Sequence, residues 1–310
     1  MKKVYLLIYV LIGSVTWVHA QNTALELKAN AGDAESMFQL AMCYRRGQSV
    51  NVDQKECVFW LKKAVEKGHT KAQYYLASYY EEGEGGLPVD SIKAYTLMKS
   101  AAEKGDLYAM YALGFSFVPS TIDKSLSIST KWLETYVEKS KDDLMCSAAE
   151  LELYYRYQEG GEIEKNISKA LSFLMSAVNR GPRSSPEAYN EVGECYYQGK
   201  YLSMNRDEAI RYFKLSADNG CGLGMANLGE VYYKEKNFSL AYKYLKSACE
   251  DEFQLWPSPK AMLYLSHCYR YGLGGAPKSE EQAKYWFEQS LKHKERTAME
   301  LFRLNRKESN

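Results

Sequence analysis

One interval constrains this chain more than any other feature. A small residue, then Leu or Val four positions on, then an aromatic four beyond that, recurs seven times at steps of 36, 37, 40, 39, 36 and 37 residues. The small residues are Ser36, Ala72, Ala109, Ala149, Ala188, Gly224 and Ala261. The aliphatic position reads Leu40, Leu76, Leu113, Leu153, Val192, Leu228 and Leu265, and the aromatic reads Tyr44, Tyr80, Phe117, Tyr157, Tyr196, Tyr232 and Tyr269. Side chains at i, i+4 and i+8 lie along one face of an α-helix. A period held this closely marks a structural repeat.

Each unit carries a second helical pattern. Its small residue is Cys57, Ala94, Ser129, Ala170, Ala209, Ala241 or Ala283, and three positions later stands a bulky one: Trp60, Leu97, Trp132, Phe173, Tyr212, Tyr244 or Trp286. The pattern predicts large residues facing small ones across each helix pair, because two helices approach closely only where a small side chain meets a bulky one. Leu at Ala72 or Ala188 is expected to overpack such a pair, and the neighbouring Gln73 to tolerate it. Gly68, Gly105, Gly181 and Gly220 are placed to end second helices, where a left-handed residue costs glycine little. The fold these patterns predict is all-α, an α/α superhelical solenoid of about seven helix-turn-helix repeats. The repeats run from residue 32 to 291, after a lead-in over 21–31 and before a capping helix and basic tail over 292–310, with Met299, Phe302 and Leu304 on the cap's apolar face.

The pattern A-x-x-x-L-G-x-x-Y-x-x-G, then K-A-x-x-W and A-A-x-x-G, resembles the Sel-one-like repeat family, relatives of tetratricopeptide repeats. It is clearest from Ala188 to Gly199, at Lys93-Ala94 and from Ala101 to Gly105. The resemblance implies an α/α superhelix used as a protein-interaction scaffold, of the type found in exported bacterial proteins of envelope assembly, signalling or host contact. It covers residues 32 to 291 with departures. The third unit has Val118-Pro119-Ser120 in place of a loop glycine and Tyr136 in place of a small residue, which predicts a bent or opened hairpin. The sixth closes its loop early, at Lys236-Asn237-Phe238. Residues 181–186 and 253–259 are lengthened connections expected at the surface.

Residues 1–20 have the parts of a secretory signal: Lys2-Lys3, an apolar run from Val4 to Val18, and a Val18-His19-Ala20 cleavage site before Gln21. The run is shorter than the ~20 residues a spanning helix needs, so no stable membrane insertion is expected after cleavage. The chain is expected in the periplasm or secreted. Without that segment 38 basic residues face 39 acidic ones, a balance that gives nucleic-acid binding no support. All seven cysteines would then meet an oxidising compartment. None has C-x-x-C spacing, so neither a zinc site nor a redox motif is indicated. Cys43 with Cys57 and Cys221 with Cys249 are placed to approach disulfide range, although Cys57 is equally explained as a buried apolar side chain. The bridge usual in the family joins the end of one second helix to the next hairpin, and no two cysteines here have that spacing.

Convergent chemistry is thin. His69, His267 and His293 stand in separate repeats and read as solvated surface. Glu81-Glu82, Asp142-Asp143 and Glu280-Glu281 read as solvated helix ends. The loops at 83–86 and 272–275 follow no strand and lack the Lys-Ser or Lys-Thr of a phosphate loop. The chain also lacks the S-x-x-K, S-D-N and K-T-G of the penicillin-type chemistry linked to some relatives. No catalytic residue, metal ligand or cofactor is assigned, and the chain is read as not an enzyme. In arrays of this kind the first helices line the concave face. Positions two before and two after each Leu form rows along it: Phe38, Tyr74, Tyr111 and Leu151, then Met42, Ser78, Phe115 and Tyr155, with Arg45 beside Lys71 as a cationic edge. Further on the same positions are Asn190, Glu194, Ala226, Glu230, Leu263 and His267, a more acidic stretch. Some of these side chains would instead pack between neighbouring units. The function expected is an exported protein–protein interaction scaffold holding a peptide or partner domain in that groove. The alternative is a cell-wall-associated enzyme, or an accessory of a glycan-processing enzyme. A third is an assembly factor that keeps its partner.

Overall fold

The structure is a computed structural model and describes residues 23–48, 50–115, 126–250 and 258–292. Among these residues there is no strand. Helix α1 spans 23–30. Seven pairs follow: α2 (Ala34–Arg46) with α3 (Gln54–Glu66), α4 (Thr70–Glu82) with α5 (Ser91–Glu103), α6 (Leu107–Phe115) with α7 (Leu126–Lys139), α8 (Asp143–Glu159) with α9 (Ile167–Asn179), α10 (Pro186–Gln198) with α11 (Arg206–Asp218), α12 (Gly222–Lys234) with α13 (Phe238–Glu250), and α14 (Pro259–Tyr271) with α15, described over 280–292. The segment read as a secretory signal, Val118-Pro119-Ser120, most of the 253–259 connection, His293 and the expected capping helix with Met299, Phe302 and Leu304 lie outside the described residues.

Two backbone devices make the repeat. At each described turn within a pair, the residue four before the second-helix small residue is Asp, Asn or Ser: Asp53, Asp90, Asn166, Asn205, Asn237 and Ser279. Its N–H donates to the carbonyl of the aromatic of the first helix, as Asp53 to Tyr44 at 3.0 Å, Asp90 to Tyr80 at 2.8 Å and Asn205 to Tyr196 at 3.0 Å. Its side chain then accepts an N–H of the second helix, as Asp90 Oδ1 does from Lys93 at 2.9 Å and Asn166 Oδ1 from Lys169 at 2.9 Å. One residue thus ends one helix and starts the next. Between pairs the closure is a glycine. Gly68 sits at φ 82°, its N–H donates to Val65 O, and the His69 N–H reaches back to Ala64 O. Gly105 with Asp106 and Gly220 with Cys221 repeat that arrangement, which satisfies two carbonyls of the last turn. At Gly181 the next residue is Pro182, which has no N–H to complete it, and there the connection lengthens.

The small, Leu and Val positions of the first helices are all buried. Where the residue after that Leu or Val is glycine, it meets the residue four after the second-helix small one. A Cβ added to Gly193 would stand 2.6 Å from the Phe213 ring, one at Gly229 2.7 Å from Leu245, and one at Gly114 would overlap Leu133. Leu61, Met98, Leu133, Leu174, Phe213 and Leu245 are accordingly among the fully buried side chains. The bulky residue facing the small one is therefore at i+4. The aromatic at i+3, which the sequence put there, stacks instead on the first-helix aromatic: Phe173 on Tyr157, Tyr212 on Tyr196 and Tyr244 on Tyr232, at 6.0, 5.7 and 5.9 Å between centroids. Between pairs small meets small, as Gly224 against Ser216 and Ala217.

By compactness the described residues form two units. One holds the pairs up to Lys141 together with Gly161–Ile163; the other holds Asp142–Gly160 and the residues from Glu164 on. In the first, α1 behaves as the second helix of a preceding hairpin: Ala29 is buried, Gly32 has φ 99° and the Asp33 N–H returns to Lys28 O. Ala31-Gly32-Asp33 echoes Lys104-Gly105-Asp106, a signal the lead-in contained. Tyr136 is 1% exposed and meets Tyr111 at 5.2 Å, so a large ring takes the place of a small residue within the core. In the second unit the loop between α12 and α13 closes early as expected, with Lys236 in the left-handed region at φ 61°. Glu150, fully buried, accepts two bonds from the Arg180 guanidinium at 2.8 and 2.9 Å and one from Ser176 at 2.6 Å, which ties α8 to α9.

All seven cysteines are unpaired, and all but Cys43 are buried. The Tyr79 hydroxyl donates to Cys57 Sγ at 3.3 Å. Burial pushes the Cys249 thiol up to about 12, with Glu250 adding to the rise, and the Cys268 thiol to about 11. At pH 8 the thiolate share of a thiol at such values is on the order of one part in a thousand or less. Iodoacetamide should therefore leave Cys249 and Cys268 unmodified in the folded protein, whereas unfolding without reductant should expose seven alkylatable thiols by mass. A deficit of two thiols would establish a disulfide in solution.

Gln73 is not the tolerant site the sequence suggested: it is buried on α4, and its Nε2 donates to Ser100 Oγ at 3.2 Å. Lys62, exposed on α3, is the proper control. Ala72→Leu and Ala188→Leu should each cost ~1–3 kcal/mol of stability, and Lys62→Leu less than ~0.5 kcal/mol, in urea unfolding. Equal midpoint shifts for all three would contradict the packing register.

Candidate functional site

In the first unit, helices α1, α2 and α4 and the start of α6 enclose a pocket of about 500 Å³. Its walls are Leu25, Phe38, Met42, Tyr74, Tyr75 and Tyr108, joined by Gln39, Cys43, Arg46, Gln48, Lys71 and Asp106. The rings form a connected set. Phe38 lies 5.6 Å from Tyr75, Tyr75 5.3 Å from Tyr74, and Tyr74 6.0 Å from Tyr108. The Arg45 guanidinium covers Tyr75 at 4.9 Å.

The helix starts hold this wall in place. His69, only 12% exposed at its side chain, stacks on Phe38 at 4.6 Å, and its Nδ1 accepts the Ala72 N–H at 3.1 Å, which caps α4. Nδ1 therefore carries no proton, and Nε2–H donates to Glu35 at 3.0 Å. That bond holds the Glu35 carboxyl below the usual range. The solvated-surface reading of His69 is thus corrected: the ring is a buttress. Asp106 Oδ1 accepts the Ala109 N–H at 2.8 Å and caps α6, while burial raises its carboxyl above the ordinary value. Burial also raises the Tyr74 hydroxyl.

Of the ten residues singled out, Phe38, Met42, Lys71 and Tyr74 line the pocket and Arg45 stacks on its wall. The other five do not line it. Ser78 Oγ donates to the Tyr74 carbonyl at 3.4 Å. Tyr111 and Phe115 pair at 4.6 Å, with Tyr111 against the core ring of Tyr136. Leu151 and Tyr155 belong to the second unit, where both pack on its core. Sequence reasoning missed Tyr75, Tyr108, Arg46 and Asp106. The two tyrosines stand just before the repeat positions, so a rule of fixed offsets passes over them, and the cap at Asp106 would have drawn notice to the start of α6.

The later row in the second unit is a polar network. Asn227 Nδ2 donates to Asn190 Oδ1 at 2.9 Å, and Glu230 takes Lys234 at 2.6 Å and Lys260 at 2.7 Å. Burial raises the Glu191 and Glu194 carboxyls, against hydrogen bonds led by Tyr155 at the first and Gln198 at the second. His267 Nδ1 lies 3.2 Å from the Tyr233 hydroxyl, so this ring too is half-buried structure. Asp142 caps α8 and Asp143 pairs with Arg180 at 3.0 Å, while Glu280 pairs with Arg270. The glycine loops are packed turns: a Cβ at Gly85 would stand 2.7 Å from Gln54 O. Among the described residues no three metal-ligating side chains gather, and no helix is long and apolar enough to cross a membrane.

A family model described as Sel1 repeat matches residues 34–69, 70–106, 145–182, 186–221, 222–252 and 259–294. The stretch it passes over holds α6 and α7, the pair with Tyr136. The chain is similar to the chitin synthase regulator SKT5 of Saccharomyces cerevisiae, with 24% identity over 286 residues that cover 88% of this chain and 39% of that protein. It therefore spans about two fifths of that relative's length. Among solved structures it is similar to a Sel1 repeat protein from Oxalobacter formigenes, with TM-score 0.66 and 22% identity over 86% of this chain and 75% of the other. It is also similar to c5321, a protective antigen present in uropathogenic Escherichia coli strains displaying an SLR fold, with TM-score 0.57 and 21% identity over 86% and 62%. Likeness at these identities carries the fold alone.

Proposed function

This chain belongs to the Sel1 repeat family, and we propose that it is an exported scaffold that holds an extended segment of a partner protein in the pocket of its first unit. Proteins built of Sel1 repeats mediate protein–protein interaction, and the repeat scaffold is typically non-enzymatic. The observation that carries the finer reading is a pocket of about 500 Å³ walled by four connected rings, with Tyr108 55% exposed at its edge. Aromatic side chains with a polar tip bury much area with few rotatable bonds, and they are frequent anchors of protein interfaces. The acid on the pocket wall, Asp106, is committed to the start of α6, and Glu35 behind it to His69. That leaves recognition rather than proton transfer as the task of the pocket. Export rests on the basic, apolar and small-residue segments of residues 1–20.

The likeness to a chitin synthase regulator favours a second, narrower reading, in which the partner is itself a glycan-processing enzyme and this chain its accessory. Co-purification from the cell envelope, with identification of what elutes, distinguishes that partner from others. Mature protein from the same fraction should begin at Gln21, and an intact Met1 terminus would contradict export by this route.

Tyr74→Ala combined with Tyr108→Ala should weaken the reconstituted complex by ~2 kcal/mol or more while leaving the helical circular-dichroism signal and melting temperature nearly unchanged. Unchanged affinity would remove the pocket as the partner site. A large fall in melting temperature would mean that these rings are core. Tyr111→Ala, by contrast, should lower the melting temperature, since its ring lies against Tyr136.

A further inference from the structure

We propose that the segment held in this pocket is acidic: an Asp- or Glu-bearing stretch of peptide with a bulky apolar side chain beside the acid. The inference rests on the pocket being the partner site and concerns what the pocket selects. Its apolar wall asks for an anchor of matching size, supplied by Phe38, Met42, Tyr74 and Tyr108.

The charge follows from an accounting of partners. Arg46 and Lys71 both line the pocket and both are exposed, and Arg45 lies over the Tyr75 ring. None of the three makes an ion pair with a carboxylate among the described residues. Some other cations of this chain do find one, as Lys99 with Glu103 and Arg270 with Glu280, or Lys234 and Lys260 on Glu230, and what sets these three apart is that they gather at one pocket. Two acids stand near them, fewer than the cations, and both act on Lys71 without pairing with it. Glu35 is bonded to His69, and Asp106 is turned to the Ala109 N–H, with burial raising its carboxyl. The pocket is therefore an apolar wall with three cations at its edge against two nearby carboxylates, Asp106 and Glu35, neither of which forms an ion pair with them. A carboxylate placed there gains charge-assisted hydrogen bonds, and an arginine can offer it two at once. A basic segment would meet like charges on entry.

The test is panning of a random peptide library on the immobilised full-length protein, followed by fluorescence anisotropy of the enriched peptides. The expected result is enrichment of Asp or Glu next to Leu, Met or an aromatic. Their affinity should fall at least about tenfold in Arg46→Glu with Lys71→Glu and weaken as salt rises. Because both substituted residues are exposed, the melting temperature should hold. As a check independent of that variant's stability, a peptide with Lys in place of its acids should bind the double-Glu protein better than the original peptide does. Enriched peptides that depend on Tyr74 and Tyr108 but are neutral or basic, or that bind the double-Glu protein unchanged, would overturn the inference and leave the pocket standing as a partner site. Peptides whose binding ignores Tyr74→Ala with Tyr108→Ala would overturn both.

Discussion

Everything in this chain depends on how closely two helices of a pair can approach. The contact that sets this distance is a glycine or other small residue against one bulky side chain, as Gly193 against Phe213 or Gly229 against Leu245. There is no room at these glycines for even one further carbon. Interiors packed to this density respond to single methylenes, so the spacing of the small residues is a constraint on the whole repeat and not a local preference. The bulkier rings then have to go elsewhere. In three hairpins they stack on one another near the turn, Phe173 on Tyr157, Tyr212 on Tyr196 and Tyr244 on Tyr232, beside the bond from the capping Asn to the tyrosine carbonyl.

The pocket of the first unit is a by-product of the same economy. The core consumes the face of each first helix that carries the small residue and the Leu, and the positions beside that face remain half-buried. In α2 and α4 those positions hold Phe38, Tyr74 and Tyr75, and no side chain among the described residues fills the space between them. Where a large ring enters the core register, as Tyr136 does, the neighbouring Tyr111 is drawn against it and away from the pocket. One residue in the wrong size class thus decides where the row of aromatics stops.

The two units treat charge differently. In the second, Glu230 is held between Lys234 and Lys260, and Glu150 receives a two-pronged arginine. These pairs are internal, and a buried carboxylate left without its partner would be costly. In the first unit the polar groups nearest the pocket serve as helix caps, and among the described residues Arg45, Arg46 and Lys71 form no ion pair. A cap needs an acceptor at a fixed place before each helix, and that need is met by Asp33, His69 and Asp106.

The period of 36 to 40 residues, the helical hairpins and the identity of the core were legible in the sequence, because they rest on relations within one helix or one turn. Ser36 to Ala261 and Leu40 to Leu265 are buried where the register put them, and the glycines at 68, 105, 181 and 220 all have positive φ. What the sequence could not decide was which residue of one helix meets which of another. A single step along a helix turns a side chain by about a quarter of a turn, and only the packed pair decides between i+3 and i+4. For that reason the facing residue was Phe213 and not Tyr212, Gln73 proved to be interior, and His69 proved to be a buttress. The division of the ten groove residues has the same cause. Five of them are gathered at the pocket and five belong elsewhere, because an offset from a Leu fixes a side chain's place on its own helix while the neighbouring helices fix what it touches.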